Sequence, residues 1–229
     1  MILQEYSMSL TKGFFFTLAT LLPFLNPPAI APIFLAVTEN LSPETRLILA
    51  KKISINIVLM LTAVVLIGST ILNFFGISLS IVKIGGGLLI AYSAWKLVNS
   101  NEQEKLSHEN NKEELSKDQI QALSFYPLTF PITCGPGAIA GSITIGVTIL
   151  SNNTYSFIPS LLGIISGITL AAISLYICMK FAAQLLDKLG KSGTAVFIKI
   201  SSFIMLCLGI QVSWDGLKDV VSAMLLSIS

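Results

Sequence analysis

The chain has 229 residues, of which 53% are hydrophobic and only 11% charged, with a formal net charge of +2. Soluble domains of this size carry charge on about a quarter of their residues, so this composition cannot coat a water-exposed surface. The near-neutral balance leaves no electrostatic footprint for nucleic acid, and a mean hydropathy of +0.81 points to a chain that resides in lipid.

A helix needs about 20 apolar residues to cross roughly 30 Å of hydrocarbon. Six stretches meet that demand, at 13–37, 53–72, 81–98, 120–150, 157–179 and 195–213. The fold expected is therefore an all-α membrane protein with six transmembrane helices. Lys12 ahead of the first stretch suggests a signal peptide, but no cleavage site ends a short apolar core, so 13–37 reads as part of the fold. This first span carries Pro23, Pro27, Pro28 and Pro32, with Asn26 among them. The second span holds Asn56, and the third opens on Val82-Lys83-Ile84 followed by Gly85-Gly86-Gly87, a run suited to close helix packing.

The segment 100–119 is the one hydrophilic stretch of note and contains the sole histidine, His108. It mixes both charge signs without a packing pattern and reads as a flexible linker. No second ligand at metal spacing accompanies His108. The fourth span carries Pro127, Pro131 and Gly135-Pro136-Gly137, with Thr133, Ser142 and Thr144 nearby. The sixth contains Gln211, and the tail 217–229 is too short to span, so it reads as a frayed helix end or an interfacial turn. Cys134, Cys178 and Cys207 are odd in number, far apart and each within an apolar run, which fits small buried side chains and neither a disulfide nor a metal framework. No metal site is expected.

With six spans, the termini and the loops after the second and fourth spans share one side. Lys12, Lys83 and Lys218 fall there, and all other basic residues fall on the opposite side. Basic loops stay cytoplasmic. The expected location is a bacterial inner membrane, multi-pass, with both termini outside.

Asn26-Pro27-Pro28-Ala29-Ile30-Ala31-Pro32 matches Gly135-Pro136-Gly137-Ala138-Ile139-Ala140-Gly141 at four of seven positions, and Val82-Lys83-Ile84 is echoed by Ile198-Lys199-Ile200. The chain thus divides into a first three-span repeat at 1–99, the linker at 100–119 and a second repeat at 120–229. Three is odd, so the copies enter the membrane from opposite sides. Such inverted repeats recur in secondary transporters, with the site at the repeat interface near the midplane.

Proline inside a helix removes a donor and blocks the carbonyl four residues back. In hydrocarbon, freed backbone groups cost several kcal/mol each unless something satisfies them. Spans one and four are therefore expected to be broken, each leaving a half-helix N-terminus with free N–H groups for a carboxylate and a C-terminus whose carbonyls suit a cation. A zwitterionic amino acid needs both. The candidate substrate-binding residues are Asn26, Pro27, Thr133, Gly135, Pro136 and Gly137, with Asn56 and Gln211 as further candidates. No Asp or Glu lies deep in a span, so a mid-membrane carboxylate relay is absent. No catalytic residues are assigned, because no nucleophile elbow, zinc helix, P-loop or membrane aspartate pair is present. An enzyme is not expected, and neither is a cofactor.

These residues resemble the MarC family of integral membrane proteins, which includes the SnatA small neutral amino acid transporters. The likeness covers nearly the whole chain. It lies in Asn26-Pro27 with Pro32-Ile33-Phe34, in Gly85-Gly86-Gly87-Leu88-Leu89, in Pro131 with Gly135-Pro136-Gly137-Ala138-Ile139, and in Gln211 with Asp215-Gly216. Pro28 and Ser201-Ser202 depart from the family pattern. The resemblance implies a six-span inner-membrane protein and, by its relatives, a carrier of glycine or alanine coupled to Na⁺ or H⁺. The working reading is a secondary transporter of a small neutral solute, with one half rocking against the other. The rivals are a non-transporting scaffold or assembly protein and a passive channel. Expected partners are the lipid bilayer and a small-molecule substrate, without nucleic acid; the sequence leaves the oligomeric state open.

Overall fold

Helices account for the regular structure throughout the described part of the chain. The computed structural model describes residues 2–38, 41–99, 116–150 and 157–228. In chain order these form α1 (Ile2–Leu25), α2 (Pro27–Val37), α3 (Pro43–Phe74), α4 (Leu79–Asn99), α5 (Lys117–Leu123), an irregular segment at Ser124–Thr133, α6 (Pro136–Leu150), α7 (Phe157–Lys180) and α8 (Ala182–Ile228).

Local sequence explains most of the ends. Ser42 caps α3 by accepting from Thr45 N–H at 3.2 Å, and Pro43 occupies the first helical position, where its missing N–H costs nothing. Ser116 and Gln119 form a reciprocal capping box at the start of α5. The last four residues of the expected linker 100–119 are thus the cap and first turn of a helix; residues 100–115 lie outside the described part. The tail from 217 continues α8 to Ile228 and is no separate turn. Near its other end, α8 kinks at Gly190, whose φ of 64° lies in the left-handed region open to glycine.

Among the described residues three helices are long and apolar enough to cross a membrane, at 4–35, 43–74 and 157–180, and a fourth is added if α5 to α6 counts as one bent span. The six expected spans are thus matched by three, or up to four, on length and composition. The third and sixth expected spans fall on α4 and α8. In α4, Lys83, Lys96 and three successive glycines dilute the apolar content; α8 is a kinked helix of 47 residues.

Extensive packing joins α4 with α8, α1 with α7, and α3 with both α6 and α7. Smaller interfaces link α4 with α6, α2 with α7 and α8, and α1 with α6. Each of these pairs takes one helix from before residue 100 and one from after it. One core results, in which Leu21, Leu25, Ile53, Ile57 and Leu61 meet Leu128, Ile145, Ile164, Ile168 and Leu175.

Glycine makes the closest crossings possible, as small residues do between helices in lipid. A Cβ on Gly209 would sit 2.7 Å from the Gly87 carbonyl, fixing α8 against α4. One on Gly13 would sit 2.7 Å from the Ser160 carbonyl and one on Gly167 2.9 Å from the Phe14 carbonyl, so α1 and α7 touch backbone to backbone. Gly146 likewise abuts the Val65 carbonyl where α6 crosses α3. The α4–α8 pair is further tied by Ser213 Oγ donating to the Ile84 carbonyl at 3.1 Å and by a Lys83–Asp219 ion pair at 2.8 Å.

Candidate functional site

Both proline-rich spans are interrupted where the sequence places the interruption. α1 stops at Leu25 and α2 starts at Pro27, with Asn26 between them at φ 38° and ψ 63°. Asparagine tolerates this left-handed conformation better than most residues. In the fourth span, helix geometry fails at Tyr126 and Phe130, the residues preceding Pro127 and Pro131, because proline pushes its predecessor toward extended backbone. Around them the hydrogen bonds run five residues back: Cys134 N–H to the Thr129 carbonyl at 2.7 Å, Thr129 Oγ1 to the Ser124 carbonyl at 2.6 Å, and Thr133 Oγ1 to the Leu128 carbonyl at 2.7 Å. After Cys134 and Gly135 the chain turns by 76° into α6.

The two restarts repeat one another. The Asn26 carbonyl accepts from Ala29 N–H at 3.0 Å and Ile30 N–H at 3.2 Å; the Gly135 carbonyl accepts from Ala138 N–H at 3.1 Å and Ile139 N–H at 3.3 Å. These are equivalent positions of the repeated string, and each restart has proline next, at 27 and 136.

What the breaks expose is not the same, which corrects the expectation of two alike ends. At α2 the first two residues, Pro27 and Pro28, have no N–H, and the next two donors are taken by Asn26. No free donor remains in that first turn. What Pro27 and Pro28 release instead are the carbonyls of Pro23 and Phe24, which lose their helical partners. At α6, Pro136 has no N–H and Ala138 and Ile139 are bonded to Gly135, but among the described residues no acceptor meets the N–H of Gly135 or Gly137. The first break is thus rich in acceptors and the second holds donors.

The breaks adjoin. A Cβ on Gly137 would run into Ile90 of α4 and come within 3.6 Å of the Phe24 ring, and one on Gly141 would lie 3.2 Å from the same ring. Phe24 lies in the last turn of α1, two residues before Asn26, so the restart of the fourth span is packed on the end of α1.

The predicted residues are unequally placed. Asn26 is half-buried, and Pro27 and Gly137 are buried at the breaks; Gly135 and Pro136 are half-buried. Thr133 is 3% exposed. Asn56, half-buried on α3, reaches the fourth span through Nδ2 donating to Thr129 Oγ1 at 3.4 Å. Gln211 lies exposed on α8 and its Nε2 donates along its own helix to Asp215 Oδ1 at 3.0 Å. Thr129 is buried between the two prolines and is absent from the sequence-derived set, although a lone hydroxyl framed by Pro127 and Pro131 is a readable signal. Ser142 is buried with its hydroxyl unpartnered, and Thr144 Oγ1 donates to the Ala140 carbonyl. No group of three or more His, Cys, Asp or Glu that would hold a metal is found among the described residues.

The family described as "MarC family integral membrane protein" matches residues 11–221. A UPF0056 membrane protein of Buchnera aphidicola subsp. Schizaphis graminum is 30% identical, the match covering 97% of this chain and 99% of that one. Another, from Buchnera aphidicola subsp. Baizongia pistaciae, is 29% identical over 94% of this chain and 95% of its own. The UPF0056 inner membrane protein MarC of Salmonella typhimurium is 24% identical over 93% and 98%. No solved structure matches.

Proposed function

The chain belongs to the MarC family of integral membrane proteins, and from that premise we propose that it is a secondary carrier of a small neutral solute, an amino acid such as glycine or alanine. The observation that carries the reading is the complementary pair of breaks. The carbonyls of Pro23 and Phe24, which have lost their helical donors, suit an ammonium group, and the N–H groups of Gly135 and Gly137, which meet no acceptor among the described residues, suit a carboxylate. Both belong to helix ends that adjoin through Phe24, so one small zwitterion meets both without a charged side chain. Asn26, Thr133 and Asn56 are the neutral side chains around it. The carbonyls also suit a Na⁺ ion, while coupling to H⁺ would need a titrating group outside the spans.

The proposed architecture is six spans in two inverted repeats, in an inner membrane with the lysine-rich loops cytoplasmic. Three features support it. The hydrogen-bond pattern at Asn26 recurs at Gly135. Exchanging the first, second and third spans for the fourth, fifth and sixth converts the α2–α7 interface into the α3–α6 one and the α4–α6 interface into the α2–α8 one. The α4–α8 and α3–α7 interfaces map onto themselves under the same exchange.

Purified protein in liposomes, given labelled alanine or glycine under an imposed Na⁺ or H⁺ gradient, should show saturable uptake. Absence of uptake under every gradient would sink the carrier reading, and flux that neither saturates nor shows counter-exchange would establish a channel.

A further inference from the structure

The described residues line a half-open cavity of about 460 Å³ well away from the breaks, between the C-terminal ends of α3 and α6 and the N-terminal ends of α4 and α7, with Asn73, Ser78 and Phe157 exposed at its mouth. Ser69, Asn73 and Ser78 supply hydroxyl and amide groups to its wall; Leu66, Val147 and Phe157 are among its apolar members. The volume is many times the roughly 30 Å³ share of one water molecule, and three neutral polar side chains give water partners. None of its described lining residues is charged. An ion entering alone would find no counter-charge, whereas a neutral hydrogen-bonding solute loses little on leaving water.

Two residues of the wall also form the floor. Val65 and Gly146 line the cavity and are the point where α3 and α6 touch, the Val65 carbonyl abutting Gly146. Within one turn of that contact, a Cβ on Gly68 would run against Ile143, so α3 and α6 meet at a second point. Along α6, Gly146 lies eleven residues beyond Gly135, about 16 Å at 1.5 Å per residue. The crossing thus stands between the cavity and the breaks. The counterpart position under exchange of the repeats, at the far ends of α2 and α7 and the start of α3, is filled. Leu49, Ala50 and Met179 are buried there, and Arg46 Nε donates to the Thr38 carbonyl at 2.9 Å.

We propose that this cavity is a hydrated access vestibule for the solute, a binding station for small neutral hydrogen-bonding molecules, shut off from the paired breaks by the α3–α6 crossing and open at one membrane face only. The proposal rests on the carrier reading and extends it. Passage inward would require Gly146 to part from Val65.

The test uses the full chain with its three cysteines replaced by alanine and Asn73→Cys or Ser69→Cys introduced, in liposomes, with a charged, membrane-impermeant methanethiosulfonate as reagent and L-alanine as competing probe. Ile57→Cys, in the core, is the unreactive control. Both cavity thiols should react from one side only. Alanine at ten times its dissociation constant should slow them roughly tenfold, and modification should cut alanine uptake by a similar factor. A thiol that does not react, as in a lipid-filled cavity, would overturn the vestibule. So would reaction without alanine protection in a protein that still transports normally after modification, and that result leaves the carrier reading intact. Protection without uptake in the unmodified protein keeps the vestibule as a ligand station and removes the carrier. Neither uptake nor protection removes both.

Discussion

The first and fourth spans start from the same short string and reach different shapes. At Asn26 a single left-handed residue separates α1 from α2, and residues 4–35 still follow one membrane-crossing course. At Cys134–Gly135 the path turns by 76° after ten residues of irregular backbone. The difference traces to which side of the break carries the prolines. In the first span Pro27 and Pro28 sit at the start of the second helix, where proline is tolerated and only withholds donors. In the fourth, Pro127 and Pro131 sit inside the incoming segment, where each displaces its predecessor from helix geometry. Two like strings thus give an acceptor end at one break and a donor end at the other.

Substitutions at three places sharpen or break that comparison. The largest effect is expected from replacing Gly135-Pro136-Gly137 by Ala-Leu-Ala. Side chains at 137 collide with Ile90, and the donor end is filled, so uptake should fall by at least about a hundredfold, equivalent to roughly 2.7 kcal/mol in the transport barrier. A scaffold would keep its cellular function after this change. Next, Pro27→Ala with Pro28→Ala returns two N–H donors to the carbonyls of Pro23 and Phe24. Helix stability should rise or hold in thermal melts, while alanine uptake drops about tenfold, or about 1.4 kcal/mol; unchanged uptake would show that those carbonyls take no part. The smallest effect separates backbone from side chain at Asn26. Asn26→Ala should destabilise by about 1 kcal/mol because alanine resists positive φ. Asn26→Gly should melt near the parent, so any transport defect it shows belongs to the lost amide.

The positions of the breaks were legible in the sequence because a missing N–H is a property of the residue itself. Their unequal outcome was less so. Pro127 and Pro131 are plain to see, but the 76° turn depends on how Tyr126, Phe130 and the five-residue hydrogen bonds of Thr129 and Thr133 share the disturbance. The free donors at both restarts, expected from helix ends in general, fail at α2 because Pro28 removes the second one and Asn26 claims the next two. Which helix packs on which could not be read either. Lipid-facing and core-facing surfaces are both apolar here, so no polar face marks the outside: Leu59, on α3, is 65% exposed, and Leu61, two residues on, is fully buried. Glycine spacing holds a signal that the reading of 85–87 alone leaves unused. Gly163 and Gly167, four apart on α7, mark the face that meets α1. Asn56 was found as an isolated polar residue in a span, and its partner Thr129 only became apparent in three dimensions.

The flat glycine seams have a consequence for how the protein is made. α1, α3 and α4 leave the ribosome first, yet each finds its extensive interface on a helix synthesised later: α7, then α6 or α7, then α8. Until those arrive, the early spans sit in lipid as separate rods with no finished neighbour. A chain stalled or cut near its middle would therefore present a membrane protease with loose helices and no half-built core. Assembly must wait for the last helix, and synthesis has to run to completion before the molecule gains resistance to its own quality control.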